Sequence, residues 1–266
     1  MRRVLLLNVT YEPLTTVGLR RAVCLVLCGK AEVVHDDVDG AVLHAASVAL
    51  ATPSVHAEQT APVAARTLQF GMHGSAVRTL QRRLAALKYY PGAIDGSFGT
   101  GTLEAVWAFQ EVQGLPGEDF VSSAMQRALN HPRAPRALDA AAGPNRVEVN
   151  IGIEVLVLYK NNQVELISHV SSGGGYYYCS PGGGCGVAIT PTGNFTTLSF
   201  FPGWIAVPLG FMYNSVFFIG TAFAIHGDTD VPLAPVSHGC VRIPMDIAAF
   251  FHTLVKVPGE PVIIRR

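Results

Sequence analysis

The spacing of apolar residues changes along the chain, and the change divides it. Val77, Leu80, Leu84 and Leu87 recur at intervals of three and four, while Arg78, Arg82, Arg83 and Lys88 lie mostly on other faces, which predicts an amphipathic helix over 74–88. Turn signals follow at Pro91-Gly92 and Asp95-Gly96, after which Thr100 or Thr102 can cap a second helix through Val106 and Phe109. A third, short helix is predicted over Ser122 to Leu129. From residue 146 the period drops to two: RVEVNIGIEVLVLYKNNQVELISHVSSG alternates around Asn161-Asn162, which reads as strand, hairpin turn and strand. The apolar run 215–225 reads as a buried strand, and VFFIGTAFAIHG and PVIIRR are short, aromatic or β-branched segments bounded by Gly and Pro. The fold class is therefore multidomain α + β, with a small three-helix bundle followed by a mostly-β domain built as a curled sheet or sandwich.

Between the two patterns lies HPRAPRALDAAAGPN, with three prolines, five alanines and few large apolar groups. It offers little to a core and reads as a linker. The expected organisation is an N-terminal segment over 1–57, a helical module over 66–131, a linker over 132–145 and a β-rich domain over 146–266.

Composition narrows the function classes. The 266 residues carry 19 Lys plus Arg and 19 Asp plus Glu, a formal charge of zero that argues against a nucleic-acid binder. Charged residues are only 14% and hydrophobic ones 49%, which excludes a charge-rich disordered chain. No apolar run reaches the roughly 18 residues of a transmembrane helix, so no integral span is expected. Residues 41–57 end in Val-His-Ala, similar to an export cleavage site, but follow His35-Asp36-Asp37 and not a basic cluster.

Chemistry concentrates near the C-terminal end, in Ala224-Ile225-His226-Gly227 and Ser237-His238-Gly239-Cys240-Val241-Arg242. A free thiol is only a few per cent ionised at neutral pH, so a nucleophilic cysteine needs a nearby base, which His226 can supply. Flanking glycines let backbone approach a substrate carbonyl, and adjacent N–H groups can stabilise an oxyanion. Three other readings stand beside this one: a buried structural cysteine, a zinc site lacking an evident fourth ligand, and a simple turn at His238-Gly239-Cys240.

These segments resemble the signature of the L,D-transpeptidase catalytic domain, and Thr190-Pro191-Thr192-Gly193-x-Phe195 is similar to its upstream proline-glycine motif. The His226-to-Ser237 spacer is short beside many members, and Arg242 stands where some have Asn. The resemblance implies Cys240 as nucleophile and His226 as general base, with the Gly227 carbonyl orienting a ring at the site. It also implies an oxyanion hole in the backbone around His238, Gly239 and Cys240. Ser237 and Arg242 are substrate-side or supporting groups, Arg242 because a guanidinium can pair with a stem-peptide carboxylate. The implied reaction is two acyl transfers through a thioester, giving a 3→3 cross-link between peptidoglycan stem peptides, or L,D-carboxypeptidase activity where water is the acceptor. It requires no metal or organic cofactor.

The helical module resembles the small three-helix peptidoglycan-binding domain. It carries Gly71-x-x-Gly74-x-x-Val77-x-x-Leu80-Gln81-x-x-Leu84, then Gly92-x-x-Asp95-Gly96-x-Phe98-Gly99-x-x-Thr102, then Ala105-Val106-x-x-Phe109-Gln110. The implied partners are stem peptides and glycan. Cys179 and Cys185 flank a flexible stretch with Pro181 and three glycines, which favours a disulfide over two reduced thiols or a weak metal site and agrees with an exported, wall-directed enzyme. Val4 to Val34, with Tyr11-Glu12-Pro13-Leu14 and Arg20-Arg21-Ala22-Val23, resembles the start of bacterial HNH endonucleases. The His-Asn-His site of a nuclease is missing, and Cys24 and Cys28 make only half of a zinc arrangement, so no nuclease activity is inferred.

Overall fold

The computed structural model describes residues 67–181 and 184–266, together with the backbone of four strands nearer the N-terminus. The chain divides into two units, Met1–Ala64 and Ala65–Arg266. In the first, β1 (Arg3–Leu7), β2 (Pro13–Gly18), β3 (Glu32–Asp37) and β4 (Gly40–His44) form a sheet of order β2-β1-β4-β3, in which only the β1–β4 pairing is parallel. Cys24, Cys28 and the cleavage-like Val-His-Ala lie outside the described residues.

The second unit opens with α1 (Ser75–Ala86), α2 (Thr100–Gln113) and α3 (Ser123–Asn130), as the apolar spacing predicts. The capping differs. Gly99 is the N-cap of α2, and Thr102 is buried with its hydroxyl donating to Pro91 O at 3.2 Å and accepting from Gln81 Nε2 at 3.0 Å. Neither threonine caps the helix, because burial turns Thr102 toward the preceding loop. Ser122 does cap α3, its Oγ accepting from Met125 N at 3.3 Å.

The β-rich region contains two large sheets and a small two-stranded one. One, of order β10-β15-β5-β6-β7, is built from β5 (Arg146–Asn150), β6 (Val155–Lys160), β7 (Gln163–His169), β10 (Gly193–Thr196) and β15 (Pro261–Arg265). The other, of order β11-β12-β13-β14, contains β11 (Ser199–Val207), β12 (Gly210–Ile219), β13 (Phe223–Asp228) and β14 (Val241–Pro244). Val147, Val149, Leu156 and Leu158 from the first sheet share one core with Val216, Ile225, Val241 and Ile243 from the second. That is a sandwich of open sheets. Helix α4 (Met245–Leu254) adds Ile247, Ala248 and Phe251 to the same core. The run 215–225 is not one strand: it turns at residues 220–222 between β12 and β13.

The β5–β6–β7 segment explains where period-two reading stops. Asn161 and Asn162, at φ 52° and 61°, make the tight turn between β6 and β7. Strand β6 itself is apolar at nearly every position, because both of its faces are covered. Leu156 and Leu158 face the sandwich core, while Val155, Val157 and Tyr159 join Ile167 in a second core with Leu84, Val106 and Phe109 of the helices. The helical module and the sandwich thus share a core. The proline-rich stretch is also tied down, Gln113 exchanging hydrogen bonds with the Arg133 backbone at 2.9 and 2.8 Å and Glu148 accepting from Leu138 N at 2.6 Å. Backbone groups anchor it where large side chains are lacking. Among the described residues no helix is long and apolar enough to cross a membrane.

Candidate active site

Strands β13 and β14 run parallel, with Ile225 opposite Val241 and His226 opposite Arg242. This register sets His226, inside β13, and Cys240, the residue just before β14, on neighbouring strands, although they are fourteen residues apart in sequence. Both line a cavity of about 510 Å³ together with Ser237, His238 and Arg242. One wall comes from the tip of the β11–β12 hairpin at Val207–Met212. Another comes from a two-stranded ribbon, β8 (Tyr177–Cys179) with β9 (Cys185–Val187), closed by a disulfide between Cys179 and Cys185.

His226 is buried, and its Nδ1 lies 3.0 Å from Gly227 O. A carbonyl can only accept, so Nδ1 carries the proton, and in the neutral ring Nε2 is left with a lone pair. Burial holds the imidazole below its ordinary value, against the opposing pull of the Gly227 hydrogen bond and the Asp228 carboxylate. Cys240 is the free cysteine among the described residues. Burial pushes its thiol up, opposed by a backbone hydrogen bond at Ala224 and the nearby Arg242 charge. Both effects favour the uncharged forms, thiol and neutral imidazole. Gly227 admits no side chain: a Cβ there would stand 2.6 Å from Ala248 Cβ and 3.1 Å from Tyr213 Cδ1.

The turn carrying the thiol is fixed atom by atom. Ser237 Oγ donates to Cys240 O at 2.6 Å and accepts from Gly239 N at 3.0 Å. Thr190, from the proline-glycine motif, donates its hydroxyl to Gly239 O at 2.9 Å and accepts from Gly173 N at 2.8 Å. Because the peptide is planar and trans, holding Gly239 O on Thr190 aims the Cys240 N–H the opposite way. Gly239 has φ +134°, and a Cβ there would meet Phe223 Cε1 at 2.6 Å and Ile189 O at 2.7 Å, so no other residue fits.

Three residues named from sequence have defined partners in this geometry, and for Ser237 and Arg242 these fit the supporting alternative. The Gly239 N–H is committed to Ser237 and does not face the cavity as a free donor. The Ser237 hydroxyl proton is committed to Cys240 O, which makes it a lock of the turn. Arg242 is braced by Asp228 through Nε at 3.2 Å and by Asp230 O through Nη1 at 3.2 Å, which removes a full bidentate face from any incoming carboxylate. His238 is packed edge-on by Tyr178 at 4.8 Å and Tyr176 at 5.5 Å between ring centroids. Sequence alone does not point to the tyrosines or the Thr190 contact, although Thr190 lies inside the proline-glycine motif.

Comparison with known proteins agrees along the chain. Residues 144–264 match the L,D-transpeptidase catalytic domain, residues 73–119 a peptidoglycan binding domain, and residues 4–56 the HNH endonuclease-associated N-terminal domain. A crystal structure of an L,D-transpeptidase from Xylanimonas cellulosilytica superposes with a TM-score of 0.72 at 31% identity, covering 77% of this chain and 100% of that one. The N-acetylmuramoyl-L-alanine amidase CwlM of Mycobacterium tuberculosis is 41% identical over 69 residues, 24% of this chain and 17% of that protein. This chain belongs to the L,D-transpeptidase family, its catalytic domain accompanied by a peptidoglycan-binding domain and an HNH-associated N-terminal domain.

Proposed function

We propose that the protein cross-links peptidoglycan stem peptides through a thioacyl enzyme on Cys240, forming 3→3 bonds. The observation that carries this reading is the tautomer of His226, whose Nδ1–H is held by Gly227 O and whose Nε2 remains a base in the cavity that Cys240 lines. Cys240 Sγ attacks the carbonyl of the third stem residue as its proton passes to His226 Nε2. The tetrahedral oxyanion takes the Cys240 N–H, aimed by Thr190, with the His238 N–H as the second candidate donor. Collapse returns the proton from His226 to the amine of the terminal D-alanine, which leaves, and a thioester remains. The side-chain amine of a second stem then attacks the thioester, giving its proton to His226 and releasing the thiol. Arg242, braced by its two aspartates, serves as a fixed cation beside the reacting pair.

The domain boundaries expected from sequence fit this scheme, with the helical module over 66–131 retaining the glycan or stem peptide and the domain over 146–266 performing the acyl transfers. Both partner domains act on peptidoglycan, which supports a cell-wall-side site of action. The Cys179–Cys185 disulfide supports an exported protein. The test is mass spectrometry of disaccharide-tetrapeptide muropeptides incubated with the full chain and with Cys240→Ala. A dimer formed with loss of D-alanine, absent in the variant, is the expected result. D-alanine loss without dimer identifies a carboxypeptidase, and no Cys240-dependent product overturns the enzyme reading in favour of a binding or scaffolding role.

A further inference from the structure

The loop over residues 229–237 runs from β13 to the turn that carries the thiol, and the helical lobe reaches it at two points. First, Glu111 Oε1 of α2 lies 2.8 Å from His169 Nδ1, and His169 Nε2 lies 3.1 Å from Pro232 O. The His169 side chain is wholly buried, with Trp107 of α2 edge-on to it at 5.5 Å. Second, a Cβ at Gly117 would stand 2.8 Å from Leu233 Cδ1, so the loop after α2 lays bare backbone on the adjoining residue. The sandwich holds the same loop through Ser171, whose Oγ donates to Ala234 O at 2.9 Å and accepts from Val236 N at 3.0 Å.

The chemistry of the ring sets its task. Pro232 O accepts only, so Nε2 must carry a proton, and Nδ1 shares a second with the Glu111 carboxyl. We propose that His169 is a positioning residue through which the peptidoglycan-binding lobe fixes the loop leading to Cys240. This rests on the reading of Cys240 as the nucleophile. Burial raises the Glu111 carboxyl to about 7. Burial works against a charged His169, but the hydrogen bond and charge of Glu111 raise it overall.

Two isosteric halves of the ring separate the contacts. His169→Gln keeps a donor near the Nε2 position, whereas His169→Asn keeps a group near Nδ1 and leaves Pro232 O without its donor. Both remove the same ring packing, so comparable thermal midpoints are expected. In the full chain, His169→Asn should raise amide hydrogen exchange across residues 230–238 and lower kcat about tenfold with little change in KM, the loss of one buried partner. His169→Gln should restore both readouts to within a few-fold of the native protein. Identical behaviour of the two variants, exchange rising evenly through β5–β7, or loosened exchange with unchanged kcat overturns the proposal. Should Cys240→Ala leave turnover unchanged while the exchange contrast holds, the strut stands and the nucleophile assignment falls.

Discussion

Neutral thiol and neutral imidazole at rest predict a particular pH dependence. His226 is the reactive base only when unprotonated, and its value lies below the ordinary 6.5, so the acid limb of kcat/KM should fall below pH 6.5. The thiol lies above its ordinary 9.0, so no second limb from its ionisation should appear until still higher pH. A profile measured from pH 5 to 10 with an alkaline limb at or below about 9, where an imidazolium paired with a thiolate would lose its proton, would argue instead for a resting ion pair. Gly227→Ala tests the packing beneath the base: forcing a methyl against Ala248 should cost about 1–3 kcal/mol in urea unfolding. The His226, Cys240 and Thr190 motifs were legible because their chemistry is tied to residue type. What escaped the sequence was direction. Whether the Ser237 hydroxyl faces substrate or backbone, and whether Arg242 is free or braced, depends on partners such as Asp228 that come together only through the β13–β14 register.

Among the elements, the β8–β9 ribbon is the clearest candidate for separable behaviour, since its strands alternate exposed and half-buried residues and its disulfide closes only a six-residue separation. Cys185→Ser should raise KM several-fold by loosening a cavity wall while leaving kcat within about twofold, read by steady-state kinetics on muropeptides. Helix α2 predicts a stability effect of unusual sign. Burial raises Glu104 from 4.5 to about 7, so between those values the folded chain holds a proton that the unfolded chain releases. Its contribution is complete at low pH and lost as pH rises through about 7, worth on the order of 3 kcal/mol at most. Glu104→Gln, permanently neutral, should therefore gain several degrees in melting temperature relative to the native protein between pH 5 and pH 8. The amphipathic period made α1 legible and turn chemistry located Asn161-Asn162. The break between β5 and β6, which sequence reads as one strand, and helix α4 resisted, the break because covering both faces of β6 erases the alternation that would set it off, and α4 because Ile247, Ala248 and Phe251 mark only a short apolar stripe after Pro244.

At the scale of the unit Ala65–Arg266, the decisive feature is the core that Val155, Val157, Tyr159 and Ile167 share with the three helices. Residues 144–266 expressed alone would leave that face of the sheet in water, and light scattering should show them associating where the complete chain stays dispersed. The proline-rich stretch reads in sequence as a linker, because composition reports the absence of large side chains but not the backbone hydrogen bonds to Gln113 and Glu148 that replace them. The shared core bears on how such a protein can be rebuilt. A seam cut at the linker severs few covalent constraints but splits a packed interior, so the binding lobe is not an interchangeable cartridge. Transplanting another targeting domain here calls for rewriting the outer face of β6 and β7 at the same time. Descent by gene fusion would have had to solve the same problem, with the junction in the sequence far easier to make than the fit between the surfaces on either side.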